Sequence, residues 1–349
     1  METRIIKIDE NNIDKSLIEE AAKIIREGGL VAFPTETVYG LGANGLYEKA
    51  VKKIFLAKGR PQDNPLILHV HSVEQVKDLV EEIPPVAKLC MDKFWPGPLT
   101  IIFKKSPKVP EMISAGLDTV AIRMPENKIA LELIKEANTP IAAPSANISG
   151  KPSPTSADHV IEDMMGKVDM ILDGGDTGIG LESTVLDLST DIPMILRPGG
   201  VTKEDLSKFI PNITIDSSII KEDEKIVPKS PGQKYRHYAP KAEMLLFSGQ
   251  VDSIVDAIIV NTEKYTKEGK RVGIICTDET KNFYKEGLII SMGSRKNKET
   301  IARNLFNILR TFDHLEVDII LAEGVDLSNL GIAIMNRMMK AASGKIIKV

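Results

Sequence analysis

The sequence has almost no cysteine. Of its 349 residues only Cys90 and Cys276 carry thiols, far apart and in no CxxC spacing. That excludes a disulfide scaffold and offers no zinc-ligand pattern, so each reads as a buried thiol. No apolar run is long enough to span a bilayer, and the opening METRIIKIDENN lacks the apolar stretch of a signal peptide. A cytoplasmic protein with no membrane partner is expected. Aromatic residues are scarce at 5%, with one tryptophan, and 45 basic against 49 acidic side chains leave a net charge of −4. A protein that grips nucleic acid broadly is normally basic and stacks bases on aromatic rings, so strong direct nucleic-acid binding is not expected. Also missing are the GxxxxGK[ST] phosphate loop, a GxGxxG after the first strand of the C-terminal part, and the HExxH, GxSxG and kinase patterns. The glycine-rich Gly174–Gly180 stretch matches none of them. Any bound nucleotide phosphate would need another device.

What is present fits a globular α/β protein. Hydrophobic residues make up 42% and charged residues 27%, an ordinary balance, and the length suggests about two domains. Apolar, mostly β-branched runs predict strands at 30–34, 65–70, 99–104, 119–125, 140–145, 168–173, 183–188 and 193–198. Helical periodicity falls at 13–27, 47–57, 73–81, 85–94, 128–137 and 155–164. Several strands are adjacent in sequence without a helix between them, so a mixed sheet is expected rather than a purely parallel one. Residues 212–240 begin beyond this pattern. They hold the charge run Lys221–Lys225 and a stretch with three prolines and a glycine, which reads as a linker. From 241 to 349 strands (244–247, 272–277, 288–291, 317–323) and helices (251–268, 298–314, and one from about 329) predict a smaller Rossmann-like α/β domain with a largely parallel sheet.

Polar residues crowd the strand ends of the first part. PTETVYGLG (Pro34 to Gly42) places Thr35 and Thr37 at a strand exit, where hydroxyls also commonly satisfy turns. In KGRPQDNPL (Lys58 to Leu66), Lys58 and Arg60 end a helix, where the dipole favours cations. A Pro-rich turn then leaves Lys58, Arg60 and Asn64 on a loop beside a strand that ends in His69. An arginine fork near a lysine suits triphosphate recognition without a phosphate loop. Arg123 lies near the end of an apolar strand, so it needs either an internal carboxylate or an anionic ligand. Ala143 to Thr155 clusters Ser145, Asn147, Ser149, Gly150, Ser153 and Thr155 after a strand, a pattern for a phosphate nest or for a helix cap. LESTV and LRPGG add Ser183, Thr184 and Arg197.

Taken in order, PTETVYGLG, KGRPxxNPL, FWPGPLT, AIRMP, PSANxSGxPSPT, ESTVxDL and LRPGG closely resemble the YrdC-like family. The SPGQKYRHYAP segment (Ser230 to Pro240) and GIAIMNRMMKAA (Gly331 to Ala342) resemble its long form, the two-domain threonylcarbamoyl-AMP synthases. The resemblance implies a catalytic domain over 1–211 with a twisted mixed sheet around a concave basic cavity, a linker over 212–240 that covers the active site, and a C-terminal domain over 241–349. It implies threonine contacts at Thr37, His69, Arg123, Ala143 and Ser183. ATP contacts are implied at Arg60, Asn64, Thr119, Ser145, Asn147, Ser153, Arg197 and Tyr235, with Lys58 near the phosphates and Lys58 and Arg60 as the charge clamp of catalysis. The substrates it implies are ATP, L-threonine and bicarbonate. Mg²⁺ would travel with the nucleotide, held without a dedicated protein cage, and the product would pass to a tRNA-modifying threonylcarbamoyl transferase. Two rival functions are compatible with such a domain. An RNA-binding module is disfavoured by the acidic total, and a carbamoyl-adenylate enzyme of hydrogenase maturation by the lack of zinc-ligand cysteines and of an acylphosphatase segment.

Overall fold

A computed structural model describes residues 2–219 and 238–349. Contacts divide the chain into two units, Met1–Ser149 with Ser153–Lys234, and Gly150–Pro152 with Tyr235–Val349.

The first unit is built on strands Arg4–Lys7 (β1), Val31–Phe33 (β2), Gly40–Asn44 (β3), Ile67–His69 (β4), Leu99–Lys104 (β5), Thr119–Arg123 (β6), Ile141–Ala142 (β7), Met170–Asp173 (β8), Thr184–Asp187 (β9), Met194–Arg197 (β10) and Thr214–Ile215 (β11). They form one sheet in the order β1-β8-β2-β3-β7-β4-β6-β5-β9-β10-β11. Parallel pairs (β4 with β6, β5 with β9) alternate with antiparallel ones (β5 with β6, β4 with β7), so the sheet is mixed as expected. One face is closed by the helices Lys15–Arg26 and Lys128–Ala137. Their Ile18, Ala22, Ile25, Leu133 and Ile134 pack with Val31, Phe33, Met170 and Leu172 in a dry core. Each helix has its own start signal. Asp14 accepts from the Ser16 N–H at 2.9 Å, and Asn127 accepts from the Ala130 N–H at 3.1 Å. A second apolar cluster, Ile67, Ile102, Ala121, Val185 and Leu196, is contributed by the strands β4, β5, β6, β9 and β10.

Some expected elements come out differently. The strand expected at 140–145 is only Ile141–Ala142, and the chain beyond it turns into the Ser145–Asn147 loop. Strand β3 has no β-branched residue to announce it. A Cβ on Gly42 would lie 2.7 Å from a Phe33 ring carbon, so glycine is what lets β2 and β3 pair under that ring. Lys58 is the last residue of the helix Glu48–Lys58 rather than part of the loop. Gly59, at φ 60°, turns the chain so that the loop begins at Arg60.

The second unit carries Glu243–Ser248 (β12), Val272–Cys276 (β13), Leu288–Ser291 (β14), Ile319–Glu323 (β15) and Ile346–Lys348 (β16). The sheet order is β14-β13-β15-β12-β16, and every pair is parallel. The GIAIMNRMMKAA stretch is its last helix, Gly331–Ala341, with Arg337 fully buried. The Arg337 guanidinium sits 5.9 Å from the ring centre of Tyr238, which also packs 5.0 Å from the Phe306 ring. This helix therefore packs against Tyr238 within the second unit. Arg310, also buried, donates to the Pro152 carbonyl at 2.7 Å within the same unit.

Within the first unit the tightest backbone approach is at Gly199, where a Cβ would come within 2.3–2.5 Å of backbone atoms of Glu182, Ser183 and Thr184. Gly199→Ala should therefore cost about 1–3 kcal/mol of the first unit's stability through overpacking. Gly178→Ala, exposed, without a positive φ and with nothing nearer than 3.9 Å to the added Cβ, should change stability by about 0.5 kcal/mol or less. Thermal unfolding of the two variants checks this order, and equal losses would contradict it.

Candidate active site

Alternation along β6 puts Thr119, Ala121 and Arg123 on one face, and Arg123 is only 4% exposed. A buried guanidinium is tolerable only when its donors are matched. Nη2 donates to Glu36 Oε1 at 2.6 Å, Nη1 to Thr37 Oγ1 at 2.9 Å and Nε to the Gly97 carbonyl at 3.3 Å. Of the two partners the sequence left open, this structure gives Arg123 the internal carboxylate. The hydroxyls beside it have fixed directions. Thr35 Oγ1 donates to the Val38 carbonyl at 2.6 Å, so the 2.8 Å contact between Thr35 and Thr37 must be donated by Thr37. That leaves the Thr37 oxygen as the acceptor for Arg123.

Pairing in the sheet sets the neighbours of Arg123. His69 lies opposite it on β4 and Thr100 opposite it on β5. His69 is buried and its Nδ1 has no hydrogen-bond partner. Burial, and after it the Arg123 charge, push its pKa down to about 3, so the ring is neutral. Thr100 Oγ1 lies 2.8 Å from Ser183 Oγ. Arg197 in turn donates from Nη2 to Ser183 Oγ and from Nε to the Ser183 carbonyl, each at 3.1 Å. Thr37, His69, Arg123, Ser183 and Arg197 thus form one connected group, with Glu36 and Thr100 as members that the sequence reading did not single out. Ala143 borders it through its N–H, which bonds the Ile67 carbonyl at 3.1 Å.

A second group forms where the helix Glu48–Lys58 ends. Lys58 Nζ is buried and donates to the carbonyls of Ser145 and Asn147, the latter at 2.6 Å. Burial, then the nearby Arg60 charge, lower its pKa well below the lysine range. The ammonium braces the Ser145–Asn147 loop. Arg60 is half-buried and donates from Nη2 to the Pro65 carbonyl at 3.1 Å, and Asn64 Oδ1 is buried with no hydrogen-bond partner. Ser153 donates to Glu182 Oε1 at 2.6 Å, directly beside Ser183.

Thr119 stands apart. It begins β6, about 13 Å along the strand from Arg123. It borders a separate cavity of about 150 Å³ with Lys104, Asp118, Asp187 and Ser189. Tyr235 and most of the 230–240 segment lie outside the described residues.

Chemically, one group offers an arginine fork, a neutral imidazole and hydroxyls, which suits a carboxylate with a small polar side chain. The other offers cations and a braced loop, which suits phosphate oxygens. Glu36 was legible as the carboxylate a buried arginine needs, since it lies between Thr35 and Thr37. Thr100 gave no signal beyond closing the FWPGPLT run.

The depressed pKa of His69 has a consequence for stability. The unfolded chain binds a proton near pH 6.5, whereas the folded chain resists it until about pH 3. Stability should therefore rise with pH across that window and fall on acidification, by at most about 1.4 kcal/mol per pH unit from this group. Denaturant titrations at pH 4.5 and 6.5 check it. His69→Gln should flatten the difference, and an unchanged slope would contradict the assignment.

Residues 23–199 match the Sua5/YciO/YrdC family, described as telomere recombination, and residues 201–343 match the threonylcarbamoyl-AMP synthase C-terminal domain. The chain is 52% identical over 347 residues to the threonylcarbamoyl-AMP synthase of Pyrococcus abyssi, covering 99% of this chain and all of that protein. It is 49% identical to the Bacillus subtilis protein of the same name, over 97% of each. The crystal structure of Pyrococcus abyssi Sua5 complexed with L-threonine superposes with a TM-score of 0.94 at 52% identity, covering 99% of both chains. With both domain families matched along nearly its whole length, the chain belongs to the two-domain Sua5 branch of the YrdC-like family.

Proposed function

We propose that this protein is an L-threonylcarbamoyladenylate synthase, a nucleotidyltransferase that converts L-threonine, bicarbonate and ATP to threonylcarbamoyl-AMP and pyrophosphate. The observation that carries this reading is the Arg123 fork beside the neutral His69. It forms a carboxylate site with hydroxyls around it, in the same unit as the loop that Lys58 braces. The end-to-end similarity to named synthases supports the same reading.

In this scheme Arg123 takes the carboxylate of threonine through two parallel hydrogen bonds. Thr37, Ser183 and His69 order the side chain, and the backbone around Ala143 closes the pocket. A neutral imidazole is useful here because it can donate or accept without adding a third positive charge beside Arg123 and Arg197. The amine gains a carboxyl group derived from bicarbonate. The new carboxylate then attacks the α-phosphorus of ATP and expels pyrophosphate. Such a transfer asks mainly for alignment and for stabilisation of charge on the phosphate oxygens. Arg60 and Arg197 supply positive charge, and Lys58 acts by holding the Ser145–Asn147 loop against the nucleotide while its remaining N–H faces the phosphates. Asn64, Ser153 and Thr119 complete the nucleotide side, with Thr119 at its far end.

The domain roles belong to this reading too: catalysis by 1–211, a cover from 212–240 that includes Tyr235, and an anchoring domain over 241–349. Carbamates decompose in water, so a cover that excludes solvent would help. Among the described residues no group of three His, Cys, Asp or Glu side chains could hold a metal ion. In this reading Mg²⁺ would be carried by the triphosphate and water, where it would neutralise phosphate charge. No helix among the described residues is long and apolar enough to cross a membrane. We place the enzyme in the cytoplasm, handing its product to a transferase that modifies the adenosine beside the tRNA anticodon.

Pyrophosphate release from ATP, measured with threonine and bicarbonate omitted in turn, tests the proposal. Release should need both. Release that ignores either omission would overturn it.

A further inference from the structure

The two carboxylate oxygens of Glu36 are not equivalent. Oε1 receives Arg123 Nη2 at 2.6 Å, while Oε2 is buried and has no hydrogen-bond partner. Both side chains of the pair are almost closed to solvent, at 5% for Arg123 and 11% for Glu36. A buried carboxylate oxygen without a donor is costly, so its retention calls for a donor that arrives with a ligand. The backbone at Glu36 is fixed, because its carbonyl accepts from the Ile179 N–H at 2.8 Å. Its side chain can therefore only pivot about a held point.

The charge balance names the donor. Threonine enters as a zwitterion. Its carboxylate and the Glu36 carboxylate compete for the same guanidinium, and its ammonium arrives within a few bonds of that competition. Among the described residues Glu36 is the one carboxylate bonded to Arg123. The other groups lining the fork cannot take a proton. Thr37 and Ser183 are hydroxyls engaged by Arg123 and Arg197, and protonating the buried His69 would add a third positive charge beside the two arginines.

Resting on the synthase reading above, we propose that Glu36 is a catalytic residue: it accepts the threonine amine on Oε2 and removes the proton that blocks carboxylation. The ammonium N–H bond breaks and its proton passes to Glu36, freeing the nitrogen lone pair. That pair forms the N–C bond with the bicarbonate carbon, whose C–O bond breaks to release water. Overall, R–NH₃⁺, HCO₃⁻ and the Glu36 carboxylate give R–NH–COO⁻, H₂O and protonated Glu36. The proton then leaves to solvent and resets the site. The Arg123 pair thus holds the base in place before substrate enters and releases it when the substrate carboxylate takes the fork.

Glu36→Gln tests this. The amide oxygen still accepts from Arg123 but an NH2 replaces Oε2, so threonine should bind about ten-fold or more weakly, and at saturating threonine the loss of a general base should slow forward synthesis by about 100-fold or more. The reverse half-reaction, ATP formed in a single turnover from threonylcarbamoyl-AMP and pyrophosphate, needs no proton removal from the amine and should run at near the wild-type rate. Forward synthesis within about five-fold of wild type would overturn the proposal. A parallel fall in both directions would also overturn it, because Glu36 would then only position Arg123. Should Glu36→Gln fail to fold, Glu36→Asp keeps the charge, withdraws it by one methylene and should give the same split in smaller measure. A wild-type enzyme with no threonine-dependent pyrophosphate release would instead sink the synthase reading itself.

Discussion

A permanently charged guanidinium sits at the end of a buried strand, and much of the first unit is arranged around that fact. Arg123 cannot be deprotonated and cannot reach bulk water, so every donor must be matched locally. The turn after β2 supplies Glu36 and Thr37, and the loop before β5 supplies the Gly97 carbonyl. The neighbouring strands deliver His69 and Thr100 in register. The same charge, added to burial, helps keep His69 neutral. Segments separated by more than eighty residues in the chain are thereby tied to one side chain. The tie is polar and exchangeable, which is what a site for an anionic ligand requires.

The second constraint is the absence of a phosphate loop. A glycine-rich loop before a helix offers backbone N–H groups to phosphate without help from side chains. Here the Ser145–Asn147 loop is held instead by the Lys58 ammonium, which spends donors on two carbonyls. A lysine used as a brace has fewer donors left for a ligand, and Arg60 and Arg197 each have a backbone carbonyl fixing the guanidinium plane. In the second unit the buried Arg337 is likewise held close to an aromatic ring, that of Tyr238.

Most of the fold was legible because long elements announce themselves. The helices Pro85–Phe94 and Lys128–Ala137 and the strand Leu99–Lys104 fall where apolar periodicity puts them. What was hidden depends on tertiary context. Strand β3 is built from glycines that make room for the Phe33 ring, so it lacks the β-branched signature. Strands β1, β11 and β16, of two to four residues, are too short to carry a period. The site divides in the same way. Arg123 could be seen to need an anion, and Glu36 lay in a quoted motif, but only the folded sheet brings them to 2.6 Å. Lys58 looked like a free cation because sequence shows charge and not the carbonyls that will surround it.

The central claim is that Arg123 is a carboxylate receptor whose internal partner gives way to the substrate. Calorimetric titration of the intact chain with L-threonine and with L-threoninol, which has a hydroxymethyl group in place of the carboxylate, tests it most directly. Loss of a charge-assisted bidentate pair should weaken threoninol by about ten-fold or more, and Arg123→Lys should erase most of the difference between the two ligands. Equal affinity of the wild-type protein for both would show that the carboxylate gains no charged partner on binding and that the Glu36–Arg123 pair is a fixed structural bridge.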